Sequence, residues 1–168
     1  TIGAWAQVSM WSLPDMTYDP IVDAAETVAS PEAMRIDDLG KVRDTAVAVM
    51  SLSDFNAART LQGQPAVNLE PGTCGLVNNM EIVNALAEAV AKAAPTITVA
   101  DQELTVAGPI YDTQLEDNAM AATALIFVVP DEAVEALGAE GLIPTTQTLN
   151  VMYADNGKTA AENDTALG

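Results

Sequence analysis

The chain has 168 residues, of which 49% are hydrophobic and 18% are charged, so we expect a folded chain with a sizeable core rather than a disordered one. Its 24 acidic residues outnumber 6 basic ones and give a formal net charge of −18, which excludes nucleic-acid binding because that requires a cationic surface. This charge disfavours docking on an anionic membrane and attracts cationic partners such as cationic peptides, although a negative surface that keeps the domain soluble is the simpler interpretation.

The sequence offers no segment that is long and apolar enough to cross a bilayer. The longest candidate, residues 119–129, has about half the required length, and its β-branched and aromatic end predicts a buried strand. Because the chain begins at Thr1 without an initiator Met or a secretory signal, we expect it to be a fragment of a longer protein. The single cysteine, Cys74, permits no internal disulfide and does not fix the compartment.

The N-terminal third is the least regular part of the sequence. An apolar-rich strand is predicted over residues 5–13, where it meets Pro14. Residues 17–29 space their apolar side chains three or four positions apart, which favours a helix. Residues 31–44 indicate a short helix or loop, and residues 45–52 return to strand composition.

The motif Ser51-Leu52-Ser53-Asp54-Phe55-Asn56 follows that strand and is the most informative stretch of the chain. Ser53 is placed to cap a helix, because its side-chain oxygen can accept amides of the first turn. Gly63 is the expected helix stop. These roles make the motif a signature of the fold rather than a catalytic site.

The middle of the chain predicts short strands followed by a long helix. Residues 67–69 and 75–77 are predicted to pair around a Pro71-Gly72 turn. Asn78 is then the expected cap of a helix over residues 80–93.

The C-terminal half adds further strands and one more helix. It is predicted to begin with a hairpin of residues 96–99 and 103–106, followed by a buried strand over 124–129. A helix then opens at Pro130-Asp131-Glu132 and ends at Gly138 or Gly141. The remaining predicted elements are a strand over 146–153, a turn at 155–157, and a final helix or frayed tail over 158–167. Together the elements predict a single α+β domain over residues 1–168, with a mixed, largely antiparallel sheet and several short helices packed on it.

Catalytic chemistry has little support in the sequence. The absence of histidine removes the commonest general base, the Ser-His and Cys-His pairs and most zinc sites. Cys74, at a predicted turn, is expected to be a small semi-buried residue. The lysines available to a Ser-Lys pair, Lys41, Lys92 and Lys158, stand in no recognisable motif, and no nucleotide-binding motif occurs. We therefore predict no catalytic, cofactor-binding or metal-binding residues.

Two acidic stretches were considered as binding sites. The first contains acids three or four residues apart, namely Asp15, Asp19, Asp23 and Glu26. Calcium is coordinated by oxygen ligands of this kind, but the EF-hand pattern is absent and a solvated acidic face is the simpler interpretation. The second is an exposed polar loop predicted over residues 111–118, and loops of this kind often carry binding.

In the order of its features, the stretch of residues 47–153 resembles the large extracellular domain of FtsX-like ABC-transporter permeases of the peptide-antibiotic detoxification and sensing type. The matching pieces are residues 50–56 with Phe55 where Tyr is commoner, residues 61–65, the hairpin through Leu104, residues 126–131, and residues 150–153. The stretch that contains them is about two-thirds of the chain, and they occur in it in the same order and at similar spacing. Residues 1–45 match no known part of the family.

The resemblance implies an α+β domain on the extracellular face of the cell membrane, inserted between transmembrane helices of a permease that pairs with a cytoplasmic ATPase subunit. That subunit would hydrolyse ATP, whereas this domain would sense or bind a substrate or partner and couple it to the motion of the transporter. A cationic or lipid-linked peptide antibiotic is one implied ligand. Coupling to an extracellular protein such as a cell-wall hydrolase, or to lipoprotein export, is the other implied role. The family supplies no shared catalytic residues, and the ligand-binding residues stay unassigned.

Two other classes of function remain open from the residues alone. A stand-alone secreted hydrolase would bring two carboxyl groups together in a pocket and raise the pKa of one of them. A structural interaction module would need only a surface for its partner.

Overall fold

The structure of the chain, a computed structural model, describes residues 2–13, 46–78, 93–111, 124–153, 157–159, 162 and 165. Its strands are β1 (Ile2–Ser12), β2 (Ala46–Ser51), β3 (Thr73–Asn78), β4 (Thr96–Val99), β5 (Gln102–Tyr111), β6 (Ala124–Val129) and β7 (Thr146–Tyr153), and the helices of the described part are α1 (Leu52–Leu61) and α2 (Asp131–Ala139). The predicted single α+β domain is confirmed.

The strands form one seven-stranded sheet in the order β4-β5-β3-β6-β2-β1-β7. The pairs β2–β6 and β3–β5 are parallel and the other four are antiparallel, which agrees with the predicted mixed, largely antiparallel sheet. The parallel pair β2–β6 stays in register from Ala46 opposite Ala124 to Ser51 opposite Val129. Because these two strands end together, the helices that follow them begin at the same edge of the sheet.

The centre of the sheet is buried on both faces. One face packs with α1 in a hydrophobic cluster of Val8, Met10, Ala48, Met50, Phe55, Ala58, Val77, Ile126 and Val128. Val49 and Phe127, which alternate with these residues along β2 and β6, are 0% exposed and therefore lie on the opposite, equally covered face. Burial on both faces explains why the sequence of β6 is an unbroken apolar run.

Strand β1 joins two partners along its length. It pairs with β2 through Trp11 and Ser12, and with β7 from Ile2 to Met10. The paired stretch of β1 and β7, hereafter the β1–β7 ribbon, therefore extends past the strands at the centre of the sheet. One face of the ribbon packs against α1, since Val8 and Met10 belong to the cluster that contains Phe55.

Both helices are followed by a glycine that was predicted to end them. Gly63 has a φ of 73°, and the amide of Gln64 donates to the carbonyl of Arg59 at 2.8 Å, which is the bond that closes a Schellman motif. Of the two candidate stops for the second helix, Gly138 lies inside α2 and Gly141, with a φ of 85°, follows its end.

The predicted hairpin of β4 and β5 is also confirmed. Its turn residues Ala100 and Asp101 have φ values of 47° and 61°, as the tightest hairpin turns require. The hairpin lies at one edge of the sheet and places Gln102 and Glu103 at the start of β5.

The predicted pairing of residues 67–69 with 75–77 is wrong. Residues 67–69 form no strand, and β3 pairs with β5 and β6 instead. The physical reason lies in Asn56: its Nδ2 donates to the carbonyl of Val67 at 2.9 Å, and its Oδ1 accepts the amide of Val67 at 2.8 Å. A side chain therefore takes the hydrogen bonds that a neighbouring strand would otherwise provide.

Several predictions concern residues outside the described ranges. They include the helix over 17–29, the helix or loop over 31–44, the helix over 80–93 apart from Ala93, the loop after Tyr111, the turn at 155–157 apart from Gly157, most of the tail, and the acidic residues Asp15, Asp19, Asp23 and Glu26.

Candidate ligand-binding cleft

The first turn of α1 is joined to the first turn of α2. Ser51, and not Ser53 as predicted, caps α1, because the Ser51 hydroxyl accepts the amide of Asp54 at 3.1 Å. The prediction fails because the register of β2 with β6 ends at Ser51, which starts the helix at Leu52. Ser53 donates its hydroxyl to Asp131 and its amide to Asp131 Oδ1 at 2.9 Å.

The other polar residues of the motif also have partners within the domain. Asp54 Oδ2 accepts the backbone amide of Ser9 in β1 at 2.9 Å. Asn56 holds the backbone of Val67 through two hydrogen bonds, as described above. These contacts support the interpretation of the motif as a signature of the fold.

Arg59 stabilises the turn that follows α1. Its side chain is buried, and its Nε donates to the carbonyl of Pro65 at 2.8 Å. The guanidinium lies 5.5 Å from the centroid of the Phe55 ring, within the range of a cation–π contact. This cation therefore serves the packing of the loop over residues 62–67.

A cleft of about 760 Å³ opens where α1 and α2 begin. Leu52 and Pro130, which follow the carboxyl ends of β2 and β6, form part of its wall, and the loop before β3 and the β4–β5 hairpin form the rest. A concave surface of this size, assembled from several elements, is the usual form of a small-molecule or peptide site.

The charged residues that line this cleft are all acidic. Glu70, Glu103 and Glu132 are exposed, whereas Asp131 is half-buried and bonded to Ser53. Carboxylates of one sign along a cleft focus a negative potential into it, which favours a cationic group in the ligand. Among the residues that the structure describes, no group of three His, Cys, Asp or Glu side chains is arranged to hold a metal ion.

Cys74 is the second residue of β3 and does not lie at a turn as predicted. It is 0% exposed, and burial raises the pKa of its thiol to about 12. The protonated thiol is a poor nucleophile. Cys74 therefore contributes to packing, and its burial is more complete than the sequence indicated.

Sequence reasoning missed an exposed apolar surface on the β1–β7 ribbon. It comprises Trp5, Leu149 and Ile2, which are 64%, 59% and 41% exposed and are called the ribbon patch hereafter. The 11 residues of β1 and the 8 residues of β7 contain no Asp, Glu, Lys or Arg, and this absence is the signal in the sequence. In a chain with a net charge of −18, two adjacent strands without charge mark a distinct surface.

Comparison with protein-family models, with curated proteins and with solved structures finds no match to this chain. Within the described residues, neither α1 nor α2 nor any other helix has the length and apolar character needed to cross a bilayer.

Proposed function

We propose that the chain is a non-catalytic extracellular domain of an FtsX-like ABC-transporter permease. The domain senses or binds a substrate or partner outside the membrane and couples this event to the ATP-driven motion of the transporter. The ordered resemblance of residues 47–153 to that family is the observation that carries the proposal. ATP hydrolysis belongs to a separate cytoplasmic subunit, which the domain reaches through transmembrane helices of the permease.

The positions of the resembling segments support this proposal. Residues 50–56 form the junction of β2 with α1, residues 126–131 form the junction of β6 with α2, and residues 150–153 end β7. The two junctions lie side by side, since Ser51 is opposite Val129 in the sheet. A resemblance in segments that pack against each other reflects a shared arrangement better than one in segments that do not touch.

The path of the chain is a second point of support. A domain inserted between two membrane helices requires that both of its chain connections reach the same membrane. A first and a last described strand that are neighbours in the sheet are one way to satisfy this requirement. β1 and β7 are antiparallel neighbours, and Ile2 lies directly opposite Tyr153. Opposed residues in such a pair have Cα atoms about 5 Å apart, which meets the requirement.

The ligand proposed for this domain is a cationic peptide bound in the acidic cleft. Glu103 on β5 and Glu132 on α2 are exposed carboxylates on two different elements of its wall. A ligand that bridges them gains from both charges, and the net charge of −18 accelerates its approach over a longer distance.

The membrane context is tested on the full-length gene and its product. We expect apolar segments of about twenty residues on both sides of the chain, and their absence would overturn the proposal. In cells, a Thr98→Cys variant places a thiol on the exposed side of β4 and should react with a membrane-impermeant maleimide. The unmodified protein is the control, because its Cys74 is buried. Labelling only after cell lysis would contradict an extracellular domain.

The ligand is tested by calorimetry with a cationic peptide at two salt concentrations. We expect heat of binding at low salt that weakens at high salt, because salt screens exposed charges. The double variant Glu103→Gln/Glu132→Gln should bind more weakly than Glu135→Gln/Glu140→Gln, which changes the charge equally at exposed positions outside the cleft lining, one on α2 and one directly after its end. Absence of heat at low salt would remove the peptide as the ligand.

A further inference from the structure

The ribbon patch stands on a surface that is unusual for this chain. Trp5 lies directly opposite Val151, and Leu149 lies opposite Gln7, so Trp5 and Leu149 are diagonal neighbours on one face of the ribbon. Ile2, opposite Tyr153, adds apolar surface on this face at the end of the ribbon, whereas Met152 is paired with Ala4 and lies on the other face. The other face of the ribbon packs against α1 through Val8 and Met10. On the face that carries Trp5, the structure places no helix of the described part of the chain over the Trp5 side chain, which is 64% exposed.

The size of the ribbon patch argues against a second copy as its occupant. Stable protein–protein interfaces use roughly 20–30 residues on each side, many more than one tryptophan and two aliphatic side chains. Approach of a second copy is further opposed by repulsion between two chains that each carry a net charge of −18. A small apolar surface is sufficient, by contrast, for contact with a membrane to which the domain is already tethered, because tethering raises the effective concentration.

The chemistry of the ribbon matches a lipid surface. Tryptophan combines an apolar ring with a polar N–H group and is enriched at the boundary between lipid headgroups and acyl chains. Absence of charged residues on β1 and β7 avoids both repulsion by anionic headgroups and the cost of desolvating a charge.

We propose that the ribbon patch docks on the lipid surface of the membrane, with Trp5 inserted at the boundary between headgroups and acyl chains. This inference rests on the proposed function, because a domain inserted between membrane helices has its chain connections at the membrane. Ile2 and Tyr153 are then the membrane-proximal end of the domain, and the patch lies at that end.

The experiment uses the whole chain with an N-terminal histidine tag, tethered to phosphatidylcholine vesicles through a nickel-chelating lipid. The chain has no histidine of its own, so the tag alone binds the lipid. A Trp11→Phe change leaves Trp5 as the only tryptophan; among the described residues the indole nitrogen of Trp11 has no hydrogen-bond partner, so the change removes no such bond. We expect the emission of Trp5 to shift to shorter wavelength on tethering and to be quenched by lipids brominated along the acyl chain.

Two further variants separate docking from tethering alone. Leu149→Thr in the Trp11→Phe background should reduce the quenching of Trp5, whereas Ile143→Thr should leave it unchanged, since Ile143 is an 81% exposed apolar residue outside the patch. Tethered chains with unchanged Trp5 emission and no quenching would overturn the proposal. So would an emission shift that appears without lipid as the protein concentration rises, because that result assigns the patch to a second copy.

The result is separable from the test of the proposed function. Absence of flanking apolar segments would overturn the permease domain, whatever the vesicles show. Flanking segments combined with unquenched Trp5 would leave the permease domain standing and remove the lipid contact.

Discussion

The centre of the sheet with α1 and the outer β1–β7 ribbon share one hydrophobic cluster, yet they differ in where their conspicuous side chains lie. Around α1, each polar residue of the motif 51–56 bonds to the domain, and Phe55 is buried. On the ribbon, Trp5 and Leu149 face outward. The comparison teaches that the polar residues of the most recognisable motif serve the fold, whereas strands with no motif carry an exposed apolar surface.

Reactivity of cysteine should give the largest contrast between the two regions. Because the pKa of Cys74 is raised from 9.0 to about 12, its thiolate fraction near pH 8 is about a thousandfold lower than that of an unperturbed thiol. A Leu149→Cys variant supplies an exposed thiol on the ribbon. In a timed reaction with a chromogenic disulfide, the introduced thiol at position 149 should react rapidly, whereas Cys74 should react only in denaturant. Rapid reaction of Cys74 in the native chain would contradict its place in the core.

Truncation of Phe55 should cost the most stability. Phe55 is 2% exposed and contacts both the apolar cluster and the guanidinium of Arg59. Phe55→Ala should lower the free energy of unfolding by about 3–5 kcal/mol, because it leaves a cavity and removes the ring under the cation. Urea denaturation followed by circular dichroism measures this loss, and a loss below about 1 kcal/mol would contradict the packing described for α1.

Replacement of Asn56 should have an intermediate effect. Asn56→Ala leaves the amide and carbonyl of Val67 without their partner and should cost about 1–3 kcal/mol. Asn56→Asp keeps an acceptor for the amide of Val67 but loses the donor to its carbonyl. Its free energy of unfolding should therefore lie between those of the unmodified chain and of Asn56→Ala. Equal stability of all three proteins in urea would show that water replaces the side chain at no cost.

The smallest effect is expected at Trp5. Trp5→Thr should change the free energy of unfolding by no more than about 0.5 kcal/mol, since the side chain is 64% exposed and threonine suits a strand. The same urea measurement applies. A loss comparable to that of Phe55→Ala would mean that Trp5 belongs to the core, and the contrast between the two regions would disappear.

Elements and helix ends were largely predictable because they depend on neighbouring residues. The apolar run of β6, the alternation of β4 and β5, and the glycines Gly63 and Gly141 each carry a local signal. Failures occurred where a distant contact decided the structure. The start of α1 follows the register of β2 with β6, and the conformation at Val67 follows the side chain of Asn56.

The cleft and the ribbon patch depend on contacts that one sequence does not contain. The strand order places β1 beside β7 and β2 beside β6, although these strands are far apart in the chain. The sequence predicts an apolar-rich strand over residues 5–13 but does not say which of its side chains are exposed. Only the assembled sheet reveals that Val8 faces α1 while Trp5 faces outward. In the same way, Glu70, Glu103 and Glu132 meet at one cleft only after the sheet is assembled.

Asp131 belongs both to the cleft and to the junction of the two helices, and this has a consequence for how the two parts are connected. It lines the cleft, and it also accepts the amide and hydroxyl of Ser53 in the first turn of α1. Under the proposed function, a cationic group that binds in the cleft would compete with Ser53 for the same carboxylate oxygens. Asp54, the next residue in that turn, anchors β1 through the amide of Ser9. Occupancy of the cleft and the anchoring of the outer ribbon are therefore linked through one turn of one helix.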